Sequence, residues 1–349
     1  MTFERVPNTT AAAQVPLLSV CMPTYRRPGL LRRALSSVIE QPGFAEEVEI
    51  VVADNSPELN RETCESLLAS WRGPSRYLPN PTNIGAIPNF NHAARAASGR
   101  YLLFLHDDDR LLPGSLASMI DTLTGQRGGA AAYVFGVHVV DERGRVRRAQ
   151  VVPDYRLLPP GAALRHVLSD SAFVRMPGLV LSRRAFVDAG GFDESVGNPT
   201  DLDLTIRIFS TYGVTCVPGV TAQYTTHPAA ATSSMFTPAT IATLMAVFDR
   251  VAAKGDPLPA SQVRRAQVAF FDQFILAGAY RALRTGRVRD GRIVLSLFDL
   301  PEVRRLGRSR RWALARSLLT GVARLPESIS GPILVSLGRL RLERLWHPR

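Results

Sequence analysis

The chain has 349 residues, 46% of them hydrophobic, enough for one large domain or two smaller ones with real cores. Its formal net charge is +12, carried almost wholly by Arg and heaviest after Arg281, so an anionic partner is expected: a nucleotide sugar, a phospholipid surface or nucleic acid. Three scattered cysteines (Cys21, Cys64, Cys216) exclude a disulfide framework or a zinc site and point to a reducing cytoplasm. No basic segment followed by an apolar one opens the chain, no apolar run reaches about 18 residues, and no repeat is present, so neither a signal peptide nor a spanning helix is expected.

Residues 1–15 are polar and read as a disordered tail. Residues 17–22 are an apolar run broken by Pro23 and predict the first strand, followed by the loop Thr24, Tyr25, Arg26, Arg27, Pro28. Helical spacing of Leu31, Leu35 and Val38 predicts a helix over 30–39. A second buried strand is expected over 48–53, ending at Asp54, Asn55 and Ser56, then a helix over 59–69. Pro79 to Gly85 is turn chemistry throughout. A helix over 89–97 stops at Ser98-Gly99.

Next comes an apolar run from Tyr101 that ends in His106, Asp107, Asp108 and Asp109. Buried carboxylates repel one another and are costly to desolvate, so three in a row at a strand end need a cation, a basic cluster or open water. On an extended chain Asp107 and Asp109 share one side and Asp108 faces the other, and two carboxylates on one side can hold a hard divalent cation and through it a diphosphate. The plain alternative is a solvated acidic turn before the next helix, with Asp109 as a cap. His106, opposite Asp107 on a strand, reads as structural.

A helix over 116–123 and a strand over 131–140 follow. Residues 151–160 read as a loop, 164–168 as helix, 179–181 as strand, 185–189 as a helix stopped by Gly190-Gly191, 202–212 as helix and 214–217 as strand. From Pro238 onward the pattern is helical and Arg-rich. Strand, polar loop and helix in repetition give an α/β domain with a mostly parallel sheet, whose ligands bind outside the carboxyl ends of the strands. The polar clusters at 24–27, 54–56 and 107–109 should therefore line one crevice.

The ordered set Pro23-Thr24-Tyr25-Arg26, Asp54-Asn55-Ser56, Asn83-Ile84-Gly85, Asp107-Asp108-Asp109, Gly190-Gly191-Phe192-Asp193-Glu194 and Asp201-Leu202-Asp203 resembles the family 2 glycosyltransferases of GT-A fold, over 17 to about 227. The resemblance implies a Rossmann-like mixed sheet flanked by helices over 16–235, with a nucleotide-binding half (16–110) and an acceptor-binding half (111–235), and an Arg-rich helical region over 236–349. It implies inverting transfer from a nucleotide-diphosphate sugar to a saccharide, a lipid-linked saccharide or a natural product, as in polysaccharide or natural product biosynthesis, assisted by Mg²⁺ or Mn²⁺. Pro23, Thr24, Tyr25, Arg26, Asp54, Asn83, Gly85, Asp107 and Asp108 would hold the nucleotide sugar, Asp109 and His227 the metal, and Asp201 would be the base. Arg27 stands beside Arg26 as a second candidate for phosphate. The basic residue that many members carry after Asn-x-Gly is replaced here by Pro88-Asn89, and the Glu before the catalytic Asp by Thr200.

Plainer roles stand beside these: Asp54 as a helix cap, Tyr25 as packing, His227 as loop surface, and Asp203 in an ion pair with Arg207. A silent nucleotide-binding scaffold of the same fold is one alternative. A nucleotidyltransferase is another, although residues 23–28 lack the glycines of a phosphate loop. Basic residues without interleaved aromatics make nucleic acid an unsupported partner. At the C-terminus, Arg304, Arg305, Arg308, Arg310 and Arg311 precede Trp312, Leu314, Leu318 and Leu319, and residues 333–345 alternate apolar and Arg. That pattern fits either a helix on the anionic inner face of a membrane or a helical cap or homodimer contact.

Overall fold

The computed structural model describes residues 15–126, 128–170, 172–227, 235–283, 285–307 and 310–325. The expected tail over 1–14, the Pro after His227 and the alternating stretch 333–345 lie outside the described residues.

The first half repeats strand and helix: β1 (Leu18–Thr24), α1 (Pro28–Ile39), β2 (Val48–Asp54), α2 (Pro57–Leu68), β3 (Ser75–Pro79), α3 (Ala86–Ala96) and β4 (Tyr101–Phe104). Pro28 and Pro57 open α1 and α2, where a missing N–H costs nothing. After them come β5 (Arg110–Leu111), α4 (Ser115–Thr124), β6 (Ala132–Asp141), β7 (Val146–Gln150), β8 (Arg156–Leu158), α5 (Pro160–Ser169), β9 (Leu179–Ser182), α6 (Arg183–Asp188), α7 (Thr200–Tyr212) and β10 (Val214–Thr226). The strands form one sheet in the order β3-β2-β1-β4-β9-β6-β10-β5, with β7 on β6 and β8 on β10. β3, β2, β1 and β4 run parallel, β9 is antiparallel to both β4 and β6, and β6 and β10 are parallel again. The sheet is thus mixed rather than mostly parallel.

Period-two alternation divides the core between the two faces. Val20, Met22, Ile50, Val52 and Leu103 pack under α1, α2 and α4, while Cys21, Val51, Ala53, Leu102 and Phe104 face α3, α5 and α7. All three cysteines are free and buried. The second face also receives α8 (Pro238–Lys254), α9 (Ala260–Leu283), α10 (Val288–Ser296), α11 (Pro301–Arg305) and α12 (Arg310–Arg324), through one continuous apolar cluster. The 24-residue α9 packs against α5, α8, α10 and α12. In α12, Trp312 and Leu319 turn into this core, whereas Leu314 and Leu318 are exposed. The described part of the Arg-rich region therefore builds a helical cap. No helix among the described residues is long and apolar enough to cross a membrane.

Candidate active site

The carboxyl ends of β1, β2 and β4 open into a cavity of about 530 Å³ whose opposite wall comes from the segment 172–176 ahead of β9, and from α7, β10 and α9. Of the residues singled out in the sequence, Pro23, Thr24, Tyr25, Asp107, Asp108 and Asp201 line it, together with Asn55, His106, Arg27 and Arg175.

β4 stops at Phe104, and the Asp109 N–H closes a turn onto the His106 carbonyl at 3.1 Å. Strand alternation therefore ends before the acidic run, and the expected same-side placement of Asp107 and Asp109 does not hold. Asp107 instead faces β1: Thr24 Oγ1 donates to its Oδ2 at 2.9 Å and Arg27 to its Oδ1 at 3.2 Å. Asp108 also turns to Arg27, at 3.3 Å, and its Oδ2 lies 2.9 Å from His227 Nε2 at the end of β10. Asp109 points inward, where the Thr225 N–H donates to Oδ1 at 2.8 Å, while Oδ2 is buried with no hydrogen-bond partner. His106 also faces the cavity instead of serving only the core. Its Nδ1 is 4.0 Å from Asp109 Oδ2, its Nε2 is buried and unpartnered, and its ring meets Phe90 edge-on.

The electrostatics follow from this crowding. Burial, then the Asp108 charge, push Asp109 well above the usual carboxylate range, against the Thr225 N–H. Burial and Asp108 likewise raise Asp107, with Arg27 and Thr24 opposing. Burial works upward on Asp108 too, but His106, the His227 hydrogen bond and Arg27 outweigh it and hold that group below its ordinary value. His106, Asp108 and Asp109 offer ligand atoms within 4.8 Å of one another. An orphaned buried carboxylate oxygen on Asp109, an orphaned imidazole nitrogen on His106 and an Asp108 already held in its charged form make a donor set that fits a divalent cation.

The neighbouring loops are held by a side-chain lattice. Asp54 is fully buried beneath the cavity; its Oδ1 accepts from the Ser56 N–H and Asn60 at 2.8 Å each, and its Oδ2 from Tyr77 at 2.8 Å. Asn55 takes the place at the cavity wall. Its Oδ1 accepts from Asn80 and its Nδ2 donates to the Gly85 carbonyl, at 2.9 and 3.0 Å. Asn83 Oδ1 accepts from the Gly85 N–H at 2.9 Å, and Gly85 sits at φ 92°, where a side chain would be strained. This loop delivers Ala86 and Ile87 to the cavity. Arg26 has a left-handed φ of 56°, its N–H donates to Ser56 Oγ, and its side chain is exposed beside Tyr25. That backbone turn is what sends Arg27, rather than Arg26, into the acidic cluster.

Across the cavity Asp201 stands in the first turn of α7, with the Leu202 N–H donating to Oδ1 at 2.7 Å. Water reaches the residue through the cavity, but protein encloses the carboxylate on most sides. That enclosure, rather than the accessible area of the residue, sets its direction: burial raises its pKa, opposed by the Leu202 N–H, His106 and Arg175. Asp203 is buried and bound at 2.8 Å by both Arg207 and Arg250, which ties α7 to α8 and forms the ion pair expected from the i,i+4 spacing. Phe192 packs edge-on against Phe104 and Phe186 and tilted against Phe90, and it also touches the cavity. Sequence reasoning missed Arg175 altogether, since nothing but an Arg before Met176-Pro177 marks it.

A mixed sheet flanked by helices, with an acidic turn at the end of its fourth strand, is the GT-A fold. Residues 19–191 match the model of glycosyl transferase family 2. An uncharacterized protein of Mycobacterium tuberculosis is 32% identical over 212 residues, 58% of this chain and 65% of that one. The GalNAc(5)-diNAcBac-PP-undecaprenol beta-1,3-glucosyltransferase of Campylobacter jejuni is 31% identical over 38% of this chain and 42% of its own. The matches thus span less than two thirds of these relatives. Among solved structures, a mannosyltransferase from Pyrobaculum calidifontis in complex with GDP-Man and Mn2+ aligns over 93% of this chain and 86% of its own, with 15% identity and a TM-score of 0.53.

Proposed function

We propose that the protein transfers a sugar from a nucleotide-diphosphate sugar to an acceptor hydroxyl with inversion, using Asp201 as the general base. The observation that carries this reading is the facing of two acidic groups across one cavity: the 107–109 cluster on the β4 side and Asp201 on the α7 side. The likeness to a GDP-Man-bound mannosyltransferase and a lipid-linked-saccharide glucosyltransferase supports a nucleotide-sugar donor and a saccharide or lipid-linked saccharide acceptor.

In this reading the nucleoside lies over Pro23, Thr24, Tyr25 and Asn55, with Asp54 fixing the floor and Asn83 and Gly85 the loop. Arg27 orients Asp107 and Asp108. Asp109, with Asp108 and His106, would hold a divalent cation, and His227 would hold Asp108 in place or join the set. Such a cation, Mg²⁺ or Mn²⁺, neutralises charge developing on a departing diphosphate. Asp201 accepts the acceptor's proton late in bond formation, and its raised pKa suits that task. The acceptor oxygen approaches from the face opposite the nucleotide, through a transition state of oxocarbenium character.

Thermal shift with a panel of nucleotide sugars, with and without Mn²⁺, tests this directly. One donor should raise the melting temperature in a metal-dependent way, since a ligand bound to the folded state stabilises it. Slow donor hydrolysis without acceptor, abolished by chelator, should accompany it. A silent scaffold would bind without hydrolysis, and no shift with any nucleotide sugar would sink the proposal. Liposome flotation with anionic lipid tests whether the C-terminal region brings the site to a membrane; no flotation at low salt leaves it as a cap.

A further inference from the structure

We propose that Arg175 is the cationic contact for the diphosphate of the donor, a role for which the loop after Asn83 supplies no basic residue. The inference rests on the nucleotide-sugar reading above.

Arg175 lies just before β9 and reaches the cavity beside Tyr224, with its guanidinium carbon 4.7 Å from the centre of that ring. A guanidinium held over a ring spends no hydrogen-bond donor on that contact, so its N–H groups stay available for the paired bonds that phosphate accepts from Arg. Its Nε is buried and makes no hydrogen bond, an omission that is costly unless a ligand fills it. Arg27, by contrast, is engaged by Asp107 and Asp108, and Asp203 takes Arg207 and Arg250. Among the described residues no carboxylate forms an ion pair with Arg175.

Its position in the cavity decides what it meets. Arg175 lines the same cavity as Asp107, Asp108 and Asp201, and its positive charge acts on both Asp109 and Asp201, so it lies within range of the cation-binding side and of the base. A leaving diphosphate must occupy the interval between those two, because the bond that breaks lies between the metal-bound phosphate and the carbon that the acceptor attacks. Arg175 would then share the growing charge on the leaving group with hydrogen bonds that shorten as the bond lengthens.

The test uses the full-length protein with saturating Mn²⁺ and isothermal titration of UDP, GDP, CDP, ADP and dTDP, each against its monophosphate. The parent should bind one diphosphate more tightly than the matching monophosphate. Arg175→Gln should weaken that diphosphate by about tenfold or more, the scale of one lost charged hydrogen bond, and the monophosphate by less than about twofold. Arg175→Lys should recover part of the loss, and an unchanged urea midpoint for either variant shows that the fold is intact. Arg175→Met, close in volume, replaces Gln if that variant does not fold. Equal loss of monophosphate and diphosphate, or no loss of either, overturns the proposal. So does unchanged diphosphate affinity with a raised acceptor KM, which would give the contact to the acceptor, or with only a shifted acid limb of the pH profile, which would leave Arg175 a support for Asp201. A parent that binds no nucleotide sinks the functional reading itself, and this inference with it.

Discussion

Opposite ends of the parallel part of the sheet carry buried carboxylates of opposite character, Glu49 on β2 and the Asp107–Asp109 triplet after β4. At the amino end, Glu49 is 1% exposed yet every oxygen is served: Ser19 at 2.5 Å, the Ser98 N–H at 2.7 Å, Ser98 Oγ at 3.0 Å and Arg76 at 3.0 Å. Burial works upward on its pKa, but those four bonds outweigh it and hold Glu49 below the usual range. Gly99 closes the knot; a Cβ there would sit 2.6 Å from Ser19 Oγ and 2.7 Å from the Ser19 nitrogen. At the carboxyl end, Asp107 and Asp109 are equally buried but pushed upward, and Asp109 keeps an unpartnered oxygen. A satisfied buried carboxylate holds a fold together. One left short of partners is held by the fold for something else.

The sharpest way to break this contrast is Asp201→Asn. Nucleotide-sugar binding should persist while turnover falls by roughly 10²-fold or more, the scale of a lost general base. Single-turnover assays of Asp201→Asn and Asp203→Asn decide it, because Asp203 is bound by two arginines and its loss should act on stability instead.

Glu49→Gln probes the satisfied end. In either orientation the amide NH2 meets an N–H donor, the Ser98 N–H or Arg76 Nε, so unfolding free energy should fall by about 2–3 kcal/mol, read from urea midpoints, with nucleotide affinity unchanged. A stable variant would mean that the knot is decorative.

The smallest effect is expected at Asp109→Asn. Removing a charge that the fold already disfavours should leave stability within about 1 kcal/mol of the parent, while the Mn²⁺-induced thermal shift disappears. The sign of the pH dependence differs in the same way. The folded-state pKa of Glu49 lies below its unfolded value, so its contribution is present above the unfolded value and lost as pH falls through the folded one. For Asp107 and Asp109 the folded value lies above, so metal-free stability should decline as pH rises from the ordinary carboxylate range through the raised values. Mn²⁺ should cancel that decline and bind more weakly as the pH is lowered. A parent and Asp109→Asn variant with superimposable pH–stability curves would remove the distinction.

Much of this was legible in the sequence. The apolar runs of β1, β2 and β4 announce buried strands, and their polar ends do meet in one cavity. β3 was not, because Ser75 and Arg76 at the sheet edge are exposed and carry no apolar signal. β10 runs on to Thr226 where the sequence suggested a stop at Val217. Exposed Pro218 and Gly219 break the pattern, and the ladder with β6 absorbs them as register shifts. The acidic triplet misled in detail because alternation applies only while the chain is extended, and β4 ends three residues earlier. Arg175 could not be found at all: it is held over the Tyr224 ring and feels Asp109 and Asp201 only through their charge, groups brought near it by the crossing of β9 between β4 and β6.

The cavity draws its two walls from different stretches of chain. The donor side lies within the family match, while Phe270, Gln273, Phe274, Ala277 and Arg281 come from α9, beyond it. Those five positions recur at the three- and four-residue spacing of one helical stripe; Phe270 and Phe274 also belong to the buried core with Phe271, Ile275 and Ala279, and only Ala277 and Arg281 are part-exposed. The helix therefore works as a faceplate to the cavity: Phe270 and Phe274 both bolt it to the core and line the opening, while Ala277 and Arg281 are its less buried positions. A change at Ala277 or Arg281 would reshape the far wall of the cavity without touching a strand.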